Sequence, residues 1–228
     1  ENIYKKLTDS ELISNDEALF LYKKISLSDL MFIASDIRKQ KTNGKYVSWL
    51  IDRNINITNV CVSKCKFCNF YCHPKSDRAY ITSLKQYEKK INELYDLGGR
   101  QILLQGGLNP ELKLDDYCRL FKDLKALFSD LKLHALGPPE IVFLSKMAGK
   151  SFQYTLEKLV DSGLDSLPGA GAEILNDRVR QIISPGKCST NEWLAVMAAA
   201  HKMNLITSAT MMFGHIETVE ERIEHLLH

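Results

Sequence analysis

No apolar run in this 228-residue chain comes near the ~20 residues that a membrane-spanning helix requires. The opening residues, Glu1-Asn-Ile-Tyr-Lys-Lys6, hold no apolar stretch of the kind found in a secretory leader. They also lack an initiator methionine, which predicts a trimmed start. An excess of one charge is missing too. Lys and Arg number 30 against 28 Asp and Glu, for a formal net charge of +2. That leaves no electrostatic case for a nucleic-acid or acidic-membrane partner. Cysteine is too sparse for a disulfide scaffold, with six in all and four of them crowded into Cys61–Cys72. Without an export signal, such clustering reads as metal binding in a reducing compartment, so the expected location is cytoplasmic. A chain with 45% hydrophobic and 25% charged residues is expected to be neither disordered nor fibrous. Its length suits one large domain or two small ones.

Residues 1–50 read as helical, with Leu27, Leu30, Met31, Ala34 and Ile37 on one face and a polar stop at Lys39–Gly44. They are expected to cap the domain that follows at 51–228. There, short apolar runs alternate with amphipathic helices. Strands are expected at Ile55–Val60, Gln101–Gln105, Lys132–Leu136, Leu164–Leu167 and Leu205–Phe213. Between them, Ser83 with Gln86 opens a helix that Gly98-Gly99 closes, and Asp115–Phe128 and Thr155–Ser162 are further helices. Asn176 caps Asp177–Ile183, Ser189 with Glu192 caps the next, and Thr218 with Glu221 starts the last. Such alternation implies parallel strands joined by right-handed crossovers. The fold class expected is α/β, a TIM-type (β/α) barrel, full or partial, with an N-terminal helical cap. Five units in 228 residues fall short of the ~250 residues of a closed eight-stranded barrel, so the chain reads as C-terminally incomplete.

The densest chemistry follows the first strand, where loops of such barrels build their sites. Cys61, Cys65 and Cys68 stand in a Cys-x3-Cys-x2-Cys spacing, with Phe67 just before the last. Three thiolates on one loop can hold three irons of a cubane cluster and leave the fourth open to a small molecule, whereas electron-transfer clusters take four cysteines. Other readings stay open. Cys72 or His73 can complete a zinc site, although structural zinc usually draws on two separated pairs and no second pair exists. Cys72 can also complete an electron-transfer cluster, or all four thiols can stand unligated. Cys118, on a helix face, and Cys188, before a helix cap, read as structural.

This cluster, with Phe67 preceding Cys68, resembles that of the radical S-adenosylmethionine superfamily. Five segments narrow the resemblance: Phe67-Cys-Asn-Phe-Tyr71, Leu103-Leu-Gln-Gly-Gly107, His134-Ala-Leu-Gly-Pro-Pro-Glu140, Leu164–Ile174 and Ala209–Glu217. They are similar to the branch that holds the futalosine-pathway menaquinone enzymes and the deazaflavin (FO) synthases. Within it, Asp165-Ser-Leu-Pro, Ile183-Ser-Pro and Met211-Met-Phe-Gly-His look most similar to the dehypoxanthine futalosine cyclases. The resemblance implies a 4Fe-4S cluster on Cys61, Cys65 and Cys68, with S-adenosylmethionine as cosubstrate on the open iron. It also implies a one-electron reductant such as flavodoxin or ferredoxin, and a small-molecule substrate, dehypoxanthine futalosine. In such cyclases a deoxyadenosyl radical takes a ribose hydrogen and the carbon radical closes onto the benzoate ring. Phe67 is then expected beside the adenine, and Gly106 and Gly107 against the methionine part. Relatives often carry Gly-Gly-Glu at that point, so Gln105 becomes the candidate for the amine. Glu173 is expected near the ribose or amine, after a stretch where relatives tend to have glycine in place of Ala170. Arg178 is the candidate for the carboxylate.

His134 and His215 are the candidate catalytic residues, expected at strand ends to bind substrate or take a proton, with a hydrogen-bonded structural role as the alternative. Glu140 reads as a helix cap or a substrate contact, Arg78 as a solvated loop residue or a benzoate partner, and His201 as structural. Lys85, Lys89 and Lys90 form the wet face of a helix. Three alternatives accompany the cyclase reading: aminofutalosine synthase, an FO synthase subunit acting on tyrosine and a diaminouracil, and a zinc-stabilised binding protein without turnover.

Overall fold

The computed structural model describes residues 2–42 and 44–228. Three helices come first: α1 (Asn2–Thr8), α2 (Asn15–Lys24) and α3 (Leu27–Lys41). Ser14 and Glu17 close a reciprocal capping box on α2, and Ser26 accepts the Asp29 amide to start α3.

From Asp52 onward strand and helix alternate. The strands are β1 (Asp52–Asn56), β2 (Gln101–Gln105), β3 (Lys132–Ala135), β4 (Ser166–Leu167) and β5 (Ile206–Thr207). They form one sheet in the order β1-β2-β3-β4-β5, and every pairing is parallel. The crossovers are α4 (Leu84–Asp96), α5 (Leu114–Leu127), α6 (Pro138–Ala148) with α7 (Phe152–Val160), and α8 (Asp177–Ile183) with α9 (Thr190–Lys202). Side chains alternate across each strand. Ile55, Ile102, Leu104, Leu133, Ala135 and Leu167 are buried on one face, packed with Ile91, Leu94, Phe121 and Leu124 of the helices. The register aligns Asn54, Leu103, His134 and Ser166 in one row on the opposite face. Sequential parallel order with right-handed crossovers puts the crossover helices α4–α9 on the outer face, so that row lies on the inner face of a partial (β/α) barrel.

Of the five expected strands only Gln101–Gln105 keeps its bounds, and the first and last runs stop furthest short of their expected ends. Beyond Asn56 the first run keeps bonds to the end of β2, the Ile57 amide donating to the Gln105 carbonyl and the Gly107 amide to the Thr58 carbonyl, while Thr58 pairs with Ile81 and Val60 with Cys72 as isolated bridges. Beyond Thr207 the last run pairs through side chains, with the Ser208 hydroxyl accepting the Gly169 amide and the Thr210 hydroxyl donating to the Gly169 carbonyl. The helix α6, for which the sequence offered only a start, is buried on most faces and ends at Gly149 with φ 62°.

The last helix is α10 (Val219–Leu227). Internal contacts divide the chain into two units, Leu50–Met212 and the N-terminal residues up to Trp49 together with Phe213–His228. Within the second unit α10 packs on α2, where Lys23 pairs with Glu220 at 2.6 Å and Arg222 donates to the Tyr22 hydroxyl at 3.0 Å.

Candidate active site

A cavity of about 450 Å³ opens at the C-terminal ends of the strands within the Leu50–Met212 unit. Its wall is built from six stretches. The cysteine loop gives Cys61, Ser63, Cys65, Phe67, Cys68, Phe70 and Tyr71; β1 gives Asn54 and Asn56; and the end of β2 gives Gln105–Leu108. Pro139 and Glu140 come from the start of α6, and Ala170, Gly171, Glu173 and Lys187 from the far side.

The cysteine loop is fixed by its backbone. Cys61 and Cys72 exchange strand-like bonds with their neighbours, the Cys61 amide donating to the Cys72 carbonyl (3.1 Å) and the Cys72 amide to the Asn59 carbonyl (2.8 Å). Asn59 then holds the returning arm, donating to the Arg78 carbonyl and accepting the Tyr80 amide. Cys61 Sγ accepts the amides of Ser63 and Leu108 at 3.4 and 3.3 Å, and the Ser63 hydroxyl lies 3.2 Å from Cys65 Sγ. Burial pushes the Cys61 thiol up, while those two amides pull the other way. Gly107 is required here because a Cβ would fall 2.1 Å from the Val60 carbonyl oxygen and 2.7 Å from Cys61 Cβ.

The donor set suits a cluster. Three thiols line one cavity, and amides already point at Cys61 sulfur, as they do around cluster thiolates. Among the described residues no three His, Cys, Asp or Glu side chains gather closely enough to hold a single metal ion, whereas a cubane takes each thiolate on a different iron. Cys72 is buried, paired through its backbone, and absent from the cavity wall.

The opposite wall carries charge. Lys187 Nζ lies 2.7 Å from Glu173 Oε1 and 5.3 Å from the centre of the Phe67 ring. Burial would lower the Lys187 pKa, but Glu173, Cys65 and Glu140 together outweigh it and raise it. Glu173 itself sits at φ 49°, in the left-handed region that a non-glycine residue occupies only when its surroundings enforce it. Glu140 caps the Gly137 amide at 3.1 Å, yet it is only 8% exposed, and burial pushes its carboxyl up to about 7. Behind this wall Arg180, 2% exposed, donates to the carbonyls of Gly171, Ala172 and Cys188 at 2.7–3.0 Å. Cys188, buried beside it, has its thiol pushed up to about 11 by burial.

Of the residues expected at the site, Cys61, Cys65, Cys68, Phe67, Gln105, Gly106, Gly107, Glu173 and Glu140 share this wall. Arg178 does not: it is exposed on the first turn of α8, whose buried face carries Val179 and Arg180. The cation in the cavity is Lys187, which the sequence reading missed. Its only local signal is the Pro185-Gly186 turn before it. His134 lies on the inner face but outside this wall, its Nδ1 2.7 Å from the Ser166 hydroxyl, and burial lowers its pKa. His215 belongs to the other unit, its Nδ1 3.2 Å from Glu217. Arg78 is exposed, His201 bonds Thr207 at 2.8 Å, and the Cys118 thiol contacts the Lys158 carbonyl.

A family model described as the radical SAM superfamily matches residues 55–228. Three curated relatives are named 5-amino-6-(D-ribitylamino)uracil–L-tyrosine 4-hydroxyphenyl transferase. The one from Methanosarcina barkeri is 41% identical, over 87% of this chain and 50% of its own. Those from Methanosarcina mazei and Microcystis aeruginosa are 38% and 36% identical, over 99% of this chain and 57% and 61% of theirs. The chain thus spans roughly half the length of these relatives. Among solved structures, methylornithine synthase aligns with TM-score 0.71 at 16% identity, covering 98% of this chain and 63% of its own. An FeFe-hydrogenase maturase aligns with TM-score 0.72 at 15% identity, covering 99% and 49%. These two likenesses bear on fold alone. No described helix is long and apolar enough to cross a membrane.

Proposed function

Because the chain belongs to the radical S-adenosylmethionine superfamily, we propose that it carries the catalytic barrel of an enzyme that transfers the 4-hydroxyphenyl group of L-tyrosine to 5-amino-6-(D-ribitylamino)uracil. The names of its relatives at 36–41% identity support that substrate pair. The futalosine cyclisation suggested by short segments has no such support, so the reading moves to the FO synthase subunit that stood among the alternatives. The observation that carries the enzyme reading is the sharing of one cavity wall by Cys61, Cys65, Cys68, the Gln105–Gly107 turn, Glu173 and Lys187.

The superfamily works with a 4Fe-4S cluster and S-adenosylmethionine, which together supply one-electron cleavage of the sulfonium to a carbon-centred radical. This chain's own residues do the positioning. Cys61, Cys65 and Cys68 are proposed to hold three irons, while Cys72 stays in its backbone pairing. Glu173 and Lys187 present opposite charges 2.7 Å apart, complementary to the amino and carboxylate groups of an amino-acid moiety. Gly106 and Gly107 leave the backbone approachable beside them, and Phe67 offers a ring face. Phe70 and Tyr71 line the loop side of the cavity. An electron carrier such as flavodoxin or ferredoxin completes the proposed set of partners.

The test is anaerobic reconstitution and reduction, followed by S-adenosylmethionine with tyrosine and the aminouracil, analysed by mass spectrometry. Deoxyadenosine release that requires both substrates, with a product joining the phenol to the uracil, supports the reading. Turnover with dehypoxanthine futalosine instead, or a preparation that holds zinc and no iron, overturns it.

A further inference from the structure

The loop between α8 and α9 is fastened to the cysteine loop more firmly than its length would require. The Gly186 amide donates to the Ser63 carbonyl at 3.2 Å, and the Lys66 amide donates to Ile183 at 2.7 Å. A Cβ at Gly186 would meet Ser63 backbone atoms at 2.6 Å, so the two loops touch backbone to backbone. On the next residue, the Lys187 amide donates to Ser184 at 3.0 Å, and Arg180 clamps the Cys188 carbonyl twice. The Lys187 stem therefore starts from a fixed point and its ammonium ends between Glu173 and the Phe67 ring.

A buried ion pair of this kind is weak support for a stabilising role, since apolar residues of similar volume often serve folding as well or better. Its position suggests another use. Phe67 stands between Cys65 and Cys68 in the chain, and Lys187 lines the same cavity as all three thiols. We infer that Lys187 is a positioning residue for charge, a fixed ammonium that stabilises negative charge on the three-thiolate set and so raises the one-electron reduction potential of the iron–sulfur group held there. Adding an electron adds one negative charge, which a nearby cation favours and a nearby carboxylate opposes. Glu173 is thus the counterweight: it anchors the ammonium and offsets part of its field.

The inference rests on the cluster reading above but not on the identity of the organic substrate. The test is a redox titration of the reconstituted protein, followed by electron paramagnetic resonance, without cosubstrate or substrate. Iron and sulfide are counted in each sample. Lys187→Met is expected to disfavour reduction at least tenfold, a fall of 59 mV or more for a one-electron couple. Lys187→Arg, which keeps the charge, is expected to restore most of the wild-type potential, and Glu173→Gln to move it upward. An unchanged potential in Lys187→Met with a full cluster overturns the inference. If Lys187→Met assembles no cluster, Glu173→Gln decides, and an unmoved or lowered potential there overturns it as well. A wild-type protein that takes up no iron would instead sink the proposed function, and the inference with it.

Discussion

Replacing Gly107 by alanine probes the joint on which the thiol geometry depends. The new Cβ would lie 2.1 Å from the Val60 carbonyl oxygen, where ordinary contact begins at 3.4 Å, so one backbone must retreat by more than an ångström. Neither is free to do so cheaply. The Gly107 amide donates to Thr58, the Leu108 amide to Cys61 Sγ and the Val62 amide to Leu108. Overpacking of this sort costs about 1–3 kcal/mol, against a gain of about 0.4–1 kcal/mol from a stiffer unfolded chain. A net loss of about 1 kcal/mol lowers the melting temperature by about 2–4 °C in a protein of this size. Circular dichroism of the apo-protein measures that shift. Iron content after reconstitution measures the second effect, because the displaced Leu108 amide no longer braces Cys61. An unchanged melting temperature together with full iron would refute the reasoning.

Arg180→Met removes the donors of three buried carbonyls at about 1 kcal/mol each, for a loss of about 3 kcal/mol read by urea denaturation; wild-type stability in the variant would show that the clamp is idle. Cys72→Ser is expected to keep its iron, and Cys61→Ser, Cys65→Ser or Cys68→Ser to lose it; equal loss in all four would restore the four-ligand readings. The Glu140 carboxyl, raised from 4.5 to about 7 by burial, holds its proton more tightly folded than unfolded. Wild-type stability from this group is therefore full below pH 4.5 and falls as pH rises through 7, by about 3 kcal/mol in all. Glu140→Gln should flatten that decline in denaturation curves taken from pH 4.5 to 8, and a parallel decline would reject the assignment.

The features legible in the sequence are those written locally. Ser189 with Glu192 and Thr218 with Glu221 form the capping boxes that their spacing implies, and the Gln86 side chain accepts the Ser83 amide as one half of a third. The strand centres at Ile102, Leu133 and Leu167 fall where apolar runs place them. The missed features depend on tertiary contact. A lysine after Pro-Gly gives no local sign of burial; only the hold of Ser63 on the preceding Gly186 and the pairing with Glu173 bring it into the cavity. Arg178 and Arg180 are indistinguishable by composition, and only the helical phase of α8, fixed by packing of Val179 and Ile183, turns one outward and the other inward. The cysteine loop was placed correctly after β1, yet its brace at Leu108 lies 47 residues from Cys61 and leaves no local trace.

The hydrogen-bonded ladder thins across the sheet, from five aligned residues between β1 and β2 to a single aligned pair between β3 and β4. Amide exchange should therefore be slowest around β1–β3 and fastest at β4 and β5, which open at lower free energy. The far wall of the cavity grows from that softer half. Its loop at Gly186 is nonetheless riveted to Ser63, on the stiff side. The rigidity of Lys187 is thus borrowed from the cysteine loop rather than from the strands beneath it. Damage to the cysteine loop should therefore soften a segment more than 100 residues downstream.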